Sequence, residues 1–272
     1  MIILRSASVP LNVNFYKESS MKFTFFGTSH GTPSAERFCS CLLIEVGESL
    51  YVIDAGAPLM DQLLRFGRDP LSVRSIFVSH THGDHINGIP RFISLMDSRP
   101  QYDGVDVYLP EQKVADAIVG FVEAAAGRPM KNQNVRMHVY DETFLYEDEN
   151  LRLSVIPNGH LSGRKDTYER PSYCFVIEAE GKRVIYTGDL STNLRSNDFP
   201  MIAIEEPSDL LICEMAHFLM EHITPYIERC QTKQLCFTHV SGREGRMQSI
   251  IDVKDNFAFP VLIVNDGDEI VI

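Results

Sequence analysis

Alternating strand and helix patterns predict an α/β fold for this 272-residue chain, and three observations carry the prediction. Short runs of β-branched and aromatic residues recur between turns rich in Gly, Asn and Asp. Longer stretches with helical spacing fall between them, the strongest over residues 111–126, which stops at Gly127. Several strand-like runs end on the same residue types: Ile76-Phe77-Val78-Ser79 runs into His80, and Leu235-Cys236-Phe237-Thr238 into His239. Open α/β architectures build their sites at that edge, because the loops leave the sheet there.

Taken in order, residues 21–28 read as a strand, and 38–46 and 50–54 as two strands joined by Gly47-Glu48. Residues 58–66 have helical spacing, with Leu59, Leu63 and Phe66 on one face. A strand over 73–80 delivers a histidine-rich loop, followed by a helix over 86–96 and a strand over 105–109. After the helix ending at Gly127, residues 135–141, 143–146 and 151–156 read as a three-stranded meander. Residues 172–179 and 182–187 form a hairpin around Glu180-Gly181. The rest alternates: strand 210–213, helix 218–229, strand 235–238, helix 246–253, and strands 261–264 and 269–272 around the turn 265–268. Two β-rich halves thus each carry helices. The longest linker-like stretch, 161–170, is polar and adjoins His160.

With 44% apolar and 23% charged residues, the composition is that of a soluble globular protein. No apolar stretch approaches the length of a membrane span, and no signal peptide is evident. Cys39, Cys41, Cys174, Cys213, Cys230 and Cys236 form no Cys-x-x-Cys pair. Most lie in strand-like runs, where a thiol packs as a small hydrophobe, so a reduced, cytoplasmic protein is expected. The net charge of −12 opposes long nucleic acids. It leaves room for a small anion, because two bound divalent ions outweigh distant surface charge at contact range.

His80-Thr81-His82-Gly83-Asp84-His85 is the most informative stretch. Imidazole and carboxylate are the ligands of a borderline divalent metal such as zinc. Three later runs end on matching residues: Val155-Ile156-Pro157-Asn158-Gly159-His160, Val184-Ile185-Tyr186-Thr187-Gly188-Asp189, and the run to His239. Alone, each of these residues is as readily a surface or core residue. As a set, five histidines and two aspartates suffice for two metals sharing one carboxylate.

These residues resemble the metallo-β-lactamase fold hydrolases, and most closely their ribonuclease Z-like branch. Phe25-Phe26-Gly27-Thr28-Ser29-His30-Gly31-Thr32-Pro33-Ser34 is similar to that branch's opening strand and loop, and Ile53-Asp54-Ala55-Gly56 to its Asp-x-Gly element. Ser79 through Pro90 is similar to its metal loop, including the trailing Asn-Gly-Ile-Pro. The similarity runs from Met21 almost to the C-terminus. Residues 1–20 are therefore expected to be an N-terminal extension and 21–272 a single hydrolase domain. The resemblance implies a four-layer αββα sandwich with the site at one edge.

It also implies roles. His80, His82 and His160 would bind one metal, Asp84, His85 and His239 the second, and Asp189 would bridge them. Zinc is the first expectation, and manganese or iron suits the same ligands. A hydroxide shared by the ions would be the nucleophile, with Asp84 holding its proton. Asp54 reads either as a support that orients the loop or as a structural carboxylate at a strand end. Cys213-Glu214-Met215-Ala216-His217 resembles, in altered form, the Glu-containing element that assists the leaving group in ribonuclease Z. His217, oriented by Glu214, is thus the candidate general acid, against a core or surface role. His30 is the next candidate, near the substrate. Ser241-Gly242-Arg243 resembles the family's Ser-x-Arg, so Arg243 is a candidate phosphate contact, against a surface salt bridge. His222-Ile223-Thr224 resembles the family's His-Ser-Thr element but follows too soon, and His138 reads as structural.

In ribonuclease Z the tRNA-gripping arm is a long insertion between the third histidine and the bridging aspartate. Here His160 and Asp189 are only 29 positions apart. With the negative charge, this favours a small anionic substrate, a small phosphodiester or cyclic phosphate. The alternatives are a lactone or ester hydrolase, a tRNA 3′-processing endonuclease, and a non-catalytic metal-binding sensor. The resemblance further implies a homodimer.

Overall fold

The computed structural model describes residues 20–32, 34–99, 103–131, 134–162, 170–242 and 245–272. The first half contributes β1 (Met21–Gly27), β2 (Cys41–Val46), β3 (Ser49–Ala55), β4 (Val73–Phe77), β5 (Val105–Leu109) and β6 (Val135–Val139). Its helices are α1 (Leu59–Arg65), α2 (Gly83–Ile86), α3 (Ile89–Met96) and α4 (Gln112–Ala126). The second half contributes β7 (Leu145–Glu147), β8 (Arg152–Pro157), β9 (Tyr173–Ala179), β10 (Lys182–Tyr186), β11 (Leu210–Met215), β12 (Leu235–Val240), β13 (Val261–Ile263) and β14 (Glu269–Val271). Its helices are α5 (Ile202–Glu205), α6 (Met220–Ile227) and α7 (Arg246–Val253).

The strands form two seven-stranded sheets, ordered β14-β1-β2-β3-β4-β5-β6 and β13-β12-β11-β10-β9-β8-β7. Successive side chains on a strand point to opposite faces, and the packing follows that period of two. In β1, Phe23 and Phe25 enter the layer between the sheets, while Phe26 turns to the helices. In β11, Leu210 and Ile212 face the other sheet, whereas Leu211 and Cys213 pack beneath α6. Three apolar layers result: one between the sheets, one under α1, α3 and α4, and one under α5, α6 and α7. That is a four-layer αββα sandwich.

Three expectations about elements are corrected. The meander over 135–156 does not exist as one unit: β6 is parallel to β5 in the first sheet, and β7 starts the second. The chain changes sheets between them, where the Tyr140 hydroxyl donates to Val78 O at 2.6 Å. The helix expected over 86–96 is broken at Gly88, whose N–H donates to Ala55 O at 2.6 Å instead of continuing a helix. A Cβ at Gly88 would lie 2.2 Å from Ala57 O, so only glycine permits this approach. The strand expected over 73–80 ends at Phe77, and its last residues belong to the loop. Among the described residues, no helix is long and apolar enough to cross a membrane.

Candidate metal centre

Four chain segments deliver the seven expected ligands to one edge of the sandwich. The loop after β4 holds His80 and His82, and α2 carries Asp84 and His85. His160 follows β8 and Asp189 follows β10, the latter just after Gly188 at φ +56°. A Cβ on Gly188 would meet Tyr173 O at 2.6 Å, so the turn that presents Asp189 requires glycine. His239 lies in β12 with φ +51°, a left-handed conformation rare for a side chain of its size. Asp54, at φ +54°, is a second such outlier beside it.

Seven donor groups fall into two tetrads that share Asp189. In the first, His82 Nδ1 lies 3.0 Å from His80 Nε2 and 3.3 Å from His160 Nε2. Asp189 Oδ2 lies 3.7 Å from both His80 Nε2 and His160 Nε2. In the second, Asp189 Oδ2 lies 3.4 Å from His85 Nε2 and 3.2 Å from His239 Nε2. Asp84 Oδ2 lies 3.6 and 3.9 Å from the same two nitrogens. A tetrahedral zinc site with arms of ~2.05 Å has edges of ~3.3 Å, and the separations of 3.0–3.9 Å bracket that value, so both tetrads are of a size to hold a metal ion. His85 Nε2, which faces the second tetrad, is buried without a hydrogen-bond partner, which a metal-binding role explains.

Outside the cluster, four of the five histidines have a hydrogen-bond partner, His80 Nδ1 meeting Ser79 Oγ at 3.2 Å. His160 Nδ1–H donates to Leu190 O at 3.0 Å, and His239 Nδ1–H to Ser40 Oγ at 2.6 Å. His85 Nδ1–H donates to Asp54 Oδ2 at 2.8 Å. Each bond leaves Nε2 with its lone pair toward the centre. Asp54 also accepts from Ser79 N at 2.8 Å, Ser79 Oγ at 2.9 Å and Tyr186 Oη at 2.8 Å. These four bonds make it an orienting carboxylate for the metal loop as well as a strand-end anchor.

The electrostatics divide between the tetrads: burial opposes the charged form of His85, but Asp189 and Asp54 hold it well above the ordinary imidazole range. Burial holds His80 well below the ordinary imidazole range, with His85 adding to the effect. Burial and the neighbouring His160 lower His82 to about 4. Burial also lowers His160. The first tetrad therefore presents neutral imidazoles, the form that ligates metal. Burial opposes the charged form of Asp189, but His239 and His85 outweigh it and keep its carboxyl well below the usual range.

Glu214 and His217 stand beside this centre. Glu214 Oε1 accepts from His217 Nδ1 and Oε2 from its backbone N, at 3.0 and 3.1 Å. The His217 ring is 4.6 Å from that of His160, and its Nδ1 is 3.9 Å from Asp189 Oδ2. Burial works against the imidazolium, but Glu214 and Asp189 raise His217 to about 9. The remaining expected residues are placed more loosely. The His30 ring lies 6.4 Å from that of His239, and its Nε2 is 3.4 Å from Ser241 Oγ. Both residues line an open cavity of about 770 Å³ with Ser29, Arg37 and Met247. Arg243 lies outside the described residues. His138 bonds Asp106 at 2.6 Å in β6, and His222 Nδ1 accepts from Leu219 N at the start of α6.

Sequence reasoning missed Ser40 and Tyr186. Ser40 is 199 positions from the histidine it holds and carries no local signal. Tyr186 had one: it lies three residues before Asp189, at the end of the same strand.

Comparison with known proteins places this arrangement. Residues 50–240 match the model of the Beta-lactamase superfamily domain. A ribonuclease Z from Methanothermobacter thermautotrophicus is 36% identical, over 90% of this chain and 94% of its own length. The chain belongs to the beta-lactamase superfamily, in its ribonuclease Z-like branch. It is a metal-dependent hydrolase of that superfamily. A ribonuclease Z from Natronomonas pharaonis is 24% identical, over 92% of this chain and 97% of its own. For Prochlorococcus marinus relatives of the same name, this chain spans about half of their length. The metallo-beta-lactamase fold protein YhfI from Bacillus subtilis superimposes with a TM-score of 0.73 at 18% identity, over 93% of this chain and all of its own, which shows the shared fold. The two long alignments extend over 308 and 296 positions, more than the 272 residues here, so those relatives carry segments that this chain lacks. Their name denotes a nuclease, which runs against the expectation of a small substrate.

Proposed function

We propose that the chain is a two-metal phosphodiesterase acting on RNA. His80, His82 and His160 would hold one divalent cation and Asp84, His85 and His239 the other, with Asp189 common to both. Zinc is the metal that this imidazole-rich set favours, and manganese or iron is the alternative. A cation pair bound there would lower the pKa of water toward neutrality and draw off charge developing at phosphorus. Asp84, 15% exposed, would orient the attacking water by accepting its proton in a hydrogen bond.

The observation that carries this reading is the Glu214–His217 pair. Phosphodiester cleavage in RNA expels an alkoxide, which needs a proton as it leaves. Glu214 holds His217 Nδ1 and keeps the ring protonated, leaving Nε2 as the donor to that oxygen. RNA as the substrate class is supported by the relatives named ribonuclease Z, matched along 94% and 97% of their lengths.

A small phosphodiester is the second reading. The 29-position interval between His160 and Asp189 and the −12 charge favour it. The test is turnover by the metal-loaded full chain on a precursor tRNA with a 3′ trailer, a 2′,3′-cyclic nucleotide, bis(p-nitrophenyl) phosphate and a lactone panel. Specific cleavage at the tRNA 3′ end supports the first reading. Turnover of the small diesters with an intact precursor supports the second. Hydrolysis of lactones or esters alone would replace both, and binding without turnover would point to a sensor.

We extend the proposal to a homodimer of one hydrolase domain, 21–272, in a reducing cytoplasm. All six cysteines are free thiols and five are buried, which supports the reducing compartment.

A further inference from the structure

Thr81 sits between two proposed ligands, His80 and His82, whose ring nitrogens meet 3.0 Å apart on one side of the loop. The hydroxyl of the residue between them meets Glu111 and Arg170 instead of a proposed ligand. Thr81 is 5% exposed, and a hydroxyl buried there needs partners. It has two. It donates to Glu111 Oε1 and accepts from Arg170 Nη2 at 2.5 Å. Arg170 closes the triangle, with Nε at 2.9 Å and Nη2 at 2.8 Å from the same Glu111 oxygen.

The placement of these three residues is informative. Glu111 occupies the N-cap of α4 but makes no capping bond to its own helix; its carboxylate goes sideways to the metal loop instead. Arg170 precedes β9, in the other sheet. The triangle therefore bridges the two halves of the sandwich, as the first tetrad does with His80 and His82 from one half and His160 and Asp189 from the other. His80, His160, His85 and His239 each have a hydrogen-bond partner outside the cluster. Among the described residues, none is shown for His82, so its position rests on its backbone.

We propose that Arg170 and Glu111 are positioning residues for the first metal, holding the His80–His82 loop through the Thr81 hydroxyl. This rests on the ligand assignment of the proposed function. The geometry makes the effect selective, because His82 belongs to the first tetrad and leans on this loop alone, whereas His80 also meets Ser79 Oγ and the second tetrad rests on Asp54 and Ser40. Loss of such an indirect support typically costs 10–100-fold in metal affinity.

The test is competitive zinc titration of the full chain against a chromophoric chelator, on the parent and on T81V, R170M and R170K, with the melting temperature of each. Arg128→Met serves as control. It breaks the 2.9 Å pair with buried Asp97 at the C-terminal end of α3. In T81V and R170M, one of two zinc equivalents should weaken by roughly 10-fold or more and the other stay within about 2-fold. R170K should recover part of the loss, and R128M should lower the melting temperature with both affinities unchanged. T81V keeps the ion pair, so it remains informative if R170M fails to fold. Equal weakening of both equivalents, or a lower melting temperature with unchanged affinities in T81V, would overturn the proposal. A parent chain that binds no zinc would instead overturn the ligand assignment beneath it.

Discussion

Both proposed metal positions depend on Asp189. Its Oδ2 lies within 3.7 Å of a ligand nitrogen from His80, His85, His160 and His239 alike. Asp189→Ala should therefore abolish turnover and lower metal content at both positions, read by elemental analysis against the parent's two equivalents. Activity within a few-fold of the parent would contradict the shared carboxylate. His217 calls for a different experiment, because its proposed role is tied to the leaving group. His217→Ala should cut cleavage of an alkyl or nucleoside diester by roughly 10²–10⁴-fold. p-Nitrophenolate leaves without protonation, so loss on the nitrophenyl diester should be far smaller. Equal losses on both would count against the acid role.

At the scale of elements, the centre depends on how closely the metal loop approaches β3. A Cβ at Gly56 would stand 1.7 Å from Asp84 O, so Gly56→Ala must push α2 away from the sheet. The expected cost is at least about 3 kcal/mol, with weakened metal binding, measured by denaturant unfolding of the metal-free and loaded chains. A stability change under about 0.5 kcal/mol would show that the loop has slack. The same scale explains what was legible in the sequence. The candidate ligands could be read because His160 and Asp189 follow recognisable strand runs, His239 closes another, and His80 through His85 crowd into one short segment. The Asp54 and Glu214 contacts were anticipated only through resemblance. The exchange of sheets after β6 was not legible, because a period-two pattern is the same whichever sheet a strand joins. The break at Gly88 was hidden for a related reason: its cause, Ala55 O, belongs to another element. Ser40 and the Thr81–Glu111–Arg170 triangle are pairings between distant segments, which local patterns do not encode.

For the whole molecule, two cations would join halves that also meet through the apolar layer between the sheets and through polar bridges such as Tyr186–Asp54 and Arg170–Glu111. Ligands that bind only the folded state add stability in proportion to the logarithm of their concentration, about 4 kcal/mol per site at a thousandfold excess over Kd. For a chain near this size, 1 kcal/mol moves the melting temperature by roughly 2–4 °C. Chelation should therefore lower it by roughly 10 °C or more, seen by calorimetry with and without EDTA. An unchanged melting temperature would argue against a cation pair at the seam. A chain beginning at Met21 should keep the parent's metal content and melting temperature, and insolubility would instead assign residues 1–20 to the fold or an interface.

The central claim, a metal-dependent phosphodiesterase, is tested most directly by phosphodiester turnover in the zinc-loaded parent beside Asp189→Ala. The expected result is cleavage of the precursor tRNA or of a small diester by the parent, suppression by EDTA, restoration by zinc, and no cleavage by the variant. A fully metallated parent that leaves every phosphodiester intact while hydrolysing a lactone or carboxylic ester would contradict it.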